Sequence, residues 1–297
     1  MATLRELKGR IGSVASTEKI TGAMKMISSA KMHSAEAALK RLKPYRSTIE
    51  GIIANLLSAD APFASPLAES RPLQKVTIVV LGSDDGLCGA YNVNLAKYLE
   101  QKIDELRSAH GDGLCIEVVP VGRKMVKAVD RLKGRVEFNI VADIDSKSEG
   151  EAVKAFEYKL RDAFLSGSTD AVDFVYMNFR SAGRQVATTD RLLPLSPDAF
   201  VGIDSADKAP AESRPYIFEP DARHIFENVL PMYLLSVAQE IFIENRASEQ
   251  AARVMAMQAA SDNAKKLLDQ LRLEYNKLRQ QSITNELLDI VGGQVRD

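Results

Sequence analysis

The sequence predicts an α/β protein with two parts: a long antiparallel coiled coil of the N- and C-terminal helices, and an open, mainly parallel sheet domain. Three observations predict it. Between Met232 and Val291 there is neither Gly nor Pro across 60 residues, which at 1.5 Å per residue is about 90 Å of helix. The N-terminal segment carries apolar residues at the steps of three and four that mark a coiled-coil seam. Between these segments, short β-rich runs alternate with helical stretches, the grammar of a sheet covered on both faces.

The first helix opens with Thr3 and Glu6 in capping-box spacing. Leu4, Leu7, Ile11 and Val14 start its stripe, which resumes with Ile20, Met24 and Ile27, then Ala35, Ala38 and Leu42, then Ile49, Ile52 and Leu56. A helix over residues 1–58 follows, with a bend expected near Pro44. Residues 59–74 hold three prolines without periodicity and read as a linker.

Strands are expected at 76–82, 114–122, 136–143 and 171–179, with helices at 91–109, 123–132 and 149–166, the last capped by Ser148 with Glu151. Together they make an open, Rossmann-like α/β domain over residues 75–196. A final strand near Arg184 to Leu195 follows the turn RSAGR and is expected as an antiparallel edge. Residues 197–220, with four prolines, read as a second linker. Asp221 then caps a helix over 221–293 whose seam is Ala260, Ala264, Leu267, Leu271 and Leu278, with Gly292 and Gly293 as its stop signal. Each terminal helix is too long for the domain between them, and the two satisfy their stripes by pairing antiparallel.

Composition narrows the function. Net charge is −1, yet residues 1–46 carry ten Lys/Arg against three Glu, a local +7. That bias suits an acidic partner surface. Trp is absent and aromatics are 6% of the chain, which leaves little for base stacking and argues against nucleic acid. Two cysteines, Cys88 and Cys115, and three scattered histidines suggest neither a disulfide framework nor a metal site. No apolar run approaches a membrane span, and no signal or transit segment is expected at the N-terminus.

The loop GSDDGLCGAYN (82–92) lies where a strand gives way to a helix, a phosphate-binding position in α/β proteins. It matches neither common phosphate-loop pattern and contains no Lys, so a tight turn packing helix on sheet, with Asp84 or Asp85 solvated, is the stronger reading. Asp84 and Asp85 lack a second acidic cluster for acid/base or magnesium chemistry, and no local feature activates Cys88. No catalytic, cofactor or metal residue is expected. The odd feature is the last helix end, where Ile283, Leu287, Leu288, Ile290 and Val291 outrun their helical partner and need a cover.

RIGSVASTEKITGAMKMISSAK (10–31), SDDGLCGAYN (83–92), FEPDA (218–222), SEQAARVMAMQAASDNAKKL (248–267) and YNKLRQQSITNELLDIVGG (275–293) together resemble the gamma subunit of F-type ATP synthases. At the tail the family has Gly followed by Ala, where this chain has Gly292 and Gly293. The resemblance implies a non-catalytic rotor shaft, one per three alpha and three beta subunits, seated with epsilon on the c-ring. It further implies a peripheral place on the cytoplasmic face of a bacterial plasma membrane, reached only through the complex. By the same resemblance, Arg279, Gln280, Thr284 and Glu286 engage the beta subunits near the tip, and Met24 and Arg253 form a pair lower down. Two rival readings make different demands: a homodimeric coiled-coil scaffold, and an enzyme holding a nucleotide in the 82–92 loop.

Overall fold

The computed structural model describes residues 3–58, 65–111, 113–132, 134–196, 200, 219 and 221–294, without the side chains of 289 and 291–294. In chain order the elements are α1 (Leu4–Ser58), β1 (Lys75–Leu81), α2 (Tyr91–His110), β2 (Cys115–Val121), α3 (Arg123–Val129), β3 (Glu137–Phe138), α4 (Glu151–Leu165), β4 (Ala171–Ser181), β5 (Arg184–Leu193) and α5 (Ala222–Gln294). The chain divides into two compact units, residues 30–252 and residues 1–29 with 253–297. Helices α1 and α5 contribute to both.

Within residues 30–252 the sheet order is β3-β2-β1-β4-β5. β1 pairs in parallel with β2 and β4, β2 pairs in parallel with β3, and β5 runs antiparallel to β4 at the edge, as the RSAGR turn predicts. Strand alternation sorts the core into two layers. Val76, Ile78 and Val80 face α2 and α3, packing with Leu95, Leu99, Ile103 and Met125. Val79 and Leu81 face the other way, joining Phe156 and Phe164 of α4, Ile49 and Ile53 of α1, and Phe226 and Leu234 of α5. Both terminal helices are therefore built into the second layer.

Their direction in this unit follows from contacts. Ala35 and Leu39 of α1 cluster with Ile243 and Ala247 of α5, while farther along α1 Arg46 donates to Glu240 at 2.5 Å. As α1 advances, α5 recedes, so the pair is antiparallel. The same Arg46 donates to Glu50 at 2.7 Å.

Two predicted caps form: Thr3 and Glu6 exchange backbone-to-side-chain bonds of 2.8 and 3.2 Å, and the His224 N–H donates to Asp221 Oδ1 at 2.8 Å. The third does not. Gly150 occupies the N-cap of α4 with no side-chain cap bond, because Ser148 is engaged one turn earlier, donating to Asp145 Oδ1 at 2.8 Å and accepting the Asp145 N–H. α1 is assigned as continuous helix through Pro44, and α5 ends at Gln294, one residue past the glycine pair. The strand expected over 136–143 is reduced to Glu137–Phe138. As an edge strand it has one neighbour to hold it, and beyond it the Asn139 side chain turns to Glu117 at 2.8 Å.

Of the linkers, residues 59–64 lie outside the described residues, as do 197–199, 201–218 and 220, which take in two of the five FEPDA residues. What is described in the first linker is a short 3-10 turn, Pro66–Ala68, capped by Ser65. Phe200 of the second is buried edge-to-face against Tyr233, ring centroids 4.9 Å apart.

Candidate functional site

The tempting loop, 82–92, is a structural joint. Gly82 leaves no room for a side chain, since a Cβ there would stand 2.5 Å from that of Met125. Asp84 is buried, not solvated: its carboxylate accepts the Arg123 N–H at 3.0 Å, the Ser146 N–H at 3.1 Å and the Ser146 hydroxyl at 2.7 Å. Burial pushes the Asp84 carboxyl up, but these donors and the Lys147 charge outweigh it and hold it below its ordinary value. Asp85 is the solvated member, half-exposed and paired with Lys147 at 3.0 Å. Cys88 is buried beside Ser83 and Asn92, out of reach of a substrate.

Asn245 of α5 locks this joint from the other side. It accepts the Tyr91 hydroxyl at 2.6 Å and donates to the Gly82 carbonyl at 3.2 Å. Nothing in the sequence marks Asn245, because its neighbours are 154 and 163 residues away. Among the described residues no group of three His, Cys, Asp or Glu could hold a metal.

The paired-helix unit, residues 1–29 with 253–297, has the opposite character. Its buried positions on α1 are Leu7, Thr21 and Ser28, with Val14 half-buried, a strict seven-residue repeat. On α5 they are Arg253, Met257, Ser261, Ala264, Leu268 and Leu271, at steps of four and three. Glu18 reaches Lys265 at 4.0 Å within this unit.

The predicted seam holds at Leu7, Val14, Ala264 and Leu271 and is off by one position at Ile20, Ile27, Ala260 and Leu267. Ile20 and Ile27, assigned to the seam by periodicity, are 60% and 57% exposed, and Leu267 is exposed beside the buried Leu268. Small side chains let two helices approach closely, and Thr21 costs little there because its hydroxyl bonds the Thr17 and Glu18 carbonyls of its own helix. Ile20, Ile27 and Leu267 are left facing outward. Met24 is half-buried and shares the helix face of Ile20 and Ile27 by spacing; Arg253 is buried and engaged.

Beyond Leu271 no described side chain of α5 is buried. Ile283, Leu287, Leu288 and Ile290 are between 46% and 63% exposed; the Val291 side chain lies outside the described residues. Arg279, Gln280, Thr284 and Glu286 are all exposed on the same stretch. The Thr284 hydroxyl bonds the Gln280 carbonyl at 2.9 Å, and Ser282 bonds Glu286 at 3.4 Å. Of the basic residues in 1–46, Arg5, Lys8, Arg10, Lys19, Lys31, Lys40, Arg41 and Lys43 are exposed.

A profile described as ATP synthase matches residues 3–295. The chain belongs to the ATP synthase gamma-chain family. It is 40% identical over 303 residues to the gamma chain of Bacteroides thetaiotaomicron, covering 100% of both chains. To that of Bacteroides fragilis it is 41% identical, covering 99% of each. The fold is similar to a chain in the Euglena gracilis mitochondrial ATP synthase structure of OSCP, F1 and c-ring, with a TM-score of 0.63 at 18% identity, covering 98% of this chain and 93% of that one. As a gamma chain it is a non-catalytic subunit. No described helix of this gamma chain is long and apolar enough to cross a membrane.

Proposed function

We propose that the chain is the central shaft of a bacterial F-type ATP synthase, one copy per three alpha and three beta subunits, carrying torque between the c-ring and the catalytic sites. The observation that carries this reading is the outward apolar surface of the paired-helix unit in a chain matched to gamma chains over its full length. An isolated subunit gains nothing from exposing Ile20, Ile27 and the Ile283–Ile290 tip; a shaft inside a collar does.

Apolar contact has no preferred orientation, so the tip turns in its sleeve at little cost. A hydrogen bond, worth about 1 kcal/mol net, distinguishes one angle from the next. Arg279, Gln280, Thr284 and Glu286 supply the few such contacts to the beta subunits, and Met24 with Arg253 supply a second contact zone. In this reading the chain works as three segments: the 1–58 and 221–293 helices as the shaft, and the 75–196 domain, with epsilon, on the c-ring. The exposed cations of α1 face acidic surfaces of the ring. The chain is peripheral, held at the cytoplasmic face of the plasma membrane by the complex.

Met24→Lys tests the placement. A cation beside the Ile20–Ile27 face disturbs the contact with the ring, so the assembled complex should keep hydrolysing ATP while ATP-driven proton pumping in inverted vesicles falls severalfold. Pumping that stays in proportion to hydrolysis would remove Met24 from the contact. Native mass spectrometry of the tagged complex should show one copy with three alpha and three beta; two copies without them would instead favour a homodimeric scaffold.

A further inference from the structure

Inside the 30–252 unit a cleft of about 540 Å³ opens between α1, the turn before α4, and α5. The shaft reading uses only its rim, Lys31 and Arg41, as part of the basic face of α1. Lys31, Arg41, Lys147 and Arg246 line it against two carboxylates, Glu149 and Glu249. Arg246 bonds the Lys147 carbonyl and the Glu149 carboxylate, and Lys147 is paired with Asp85. Lys31 and Arg41 are exposed at the mouth.

The uncapped first turn of α4 borders the same cleft, through Gly150 and Val153. Its amide groups and dipole give that end a partial positive charge. An independent feature points to an occupant. Gln250 is 8% exposed, lines the cleft, and its side-chain oxygen has no hydrogen-bond partner. The Arg246 Nε is likewise buried without a partner. Burial lowers the Arg246 pKa, with Glu249 and Asp145 opposing it in part.

A fitting occupant offers acceptor oxygens to Arg246 and to the α4 amides, and one donor to the Gln250 oxygen. Carboxylate and sulfate offer acceptors alone at neutral pH. A hydrogenphosphate group offers both. We propose that this cleft binds a hydrogenphosphate group, held by Arg246, the α4 N-terminus and Gln250, with Lys31 and Arg41 drawing it in. Phe242 and Ile243 form an apolar wall beside it, so the source is either the free ion or a small phosphate ester whose remainder rests on that wall.

The test is calorimetric titration of the full chain with inorganic phosphate, phenyl phosphate and sulfate at pH 6, where a phosphate ester with a second pKa of about 6 still holds its proton in part. Phosphate is expected to bind at least about fivefold more tightly than sulfate. Phenyl phosphate binding about tenfold more tightly than the free ion assigns an ester; equal or weaker binding assigns the ion itself. Gln250→Leu should erase the preference over sulfate. Because Arg246 also ties down the 147–149 turn, the double variant Lys31→Ala with Arg41→Ala at the exposed mouth serves as a second probe, expected to weaken binding about threefold to tenfold with an unchanged circular dichroism spectrum. No heat with phosphate, equal affinity for sulfate, or binding unmoved by these variants would overturn the site. None of these readouts depends on the shaft reading.

Discussion

The sheet-bearing unit and the paired-helix unit follow opposite rules of burial. In the first, the strand Val76 to Leu81 and the faces of the helices over it are buried, and the buried Asp84 carboxylate accepts from Arg123 and Ser146. In the second, Thr21, Ser28 and Ser261 are buried while Ile20, Ile27 and the tip are exposed. One region is arranged for its own stability. The other leaves its most apolar surface for something outside the chain.

Four substitutions sharpen or break that contrast. Phe174→Ala, in the fully buried centre of β4, should cost about 3–5 kcal/mol and lower the unfolding temperature of the chain in calorimetry. A loss below about 1 kcal/mol would mean the sheet unit is not the tightly packed one. Asp84→Ala strands the Arg123 and Ser146 donors and should cost about 1–3 kcal/mol at neutral pH. The Asp84 carboxyl is held below its ordinary value of 3.8, so its contribution is present above that pH and disappears as pH falls through the folded value. Variant and parent should therefore converge in acid.

Glu157 carries the opposite sign. It is fully buried with neither carboxylate oxygen bonded, and burial raises it to about 7 from 4.5. Between those values the folded chain holds a proton that the unfolded chain has released, so stability falls as pH rises through the window. Glu157→Gln should raise the melting temperature by roughly 3–6 °C at pH 8 and leave it unchanged at pH 4. A pH-independent gain would place the effect elsewhere than in the proton. Ile27→Ser should be smallest, within about 0.5 kcal/mol for the isolated chain, since the side chain faces outward. A loss of 2 kcal/mol would put Ile27 back in the seam.

Much of this architecture was legible in the residues. The Thr3–Glu6 cap, the Asp221 cap and the antiparallel β5 edge are local, written in spacing and turn chemistry that need no distant neighbour, and the parallel sheet was legible from the alternation of strand and helix. The apolar tip was legible too, as a stripe longer than its partner. Ser148 was misread because two backbone N–H donors compete for one hydroxyl oxygen, and the winner, that of Asp145, depends on the turn geometry before α4. Asn245 was invisible because its bonds close over more than 150 residues.

Family, the two long terminal helices and the alternation of strand and helix were determined by the sequence alone, since each rests on propensity, period and ordered motifs, whereas the strand order β3-β2-β1-β4-β5 came from pairing between distant strands. Which face of each terminal helix closes on the other was decided only in three dimensions. The repeats beginning at Ile20 and at Thr21 differ by one position, about 100° around the helix, and hydrophobicity favours the first. Close approach of two backbones favours the second, because short side chains such as Thr21, Ser28 and Ser261 are what fit between them.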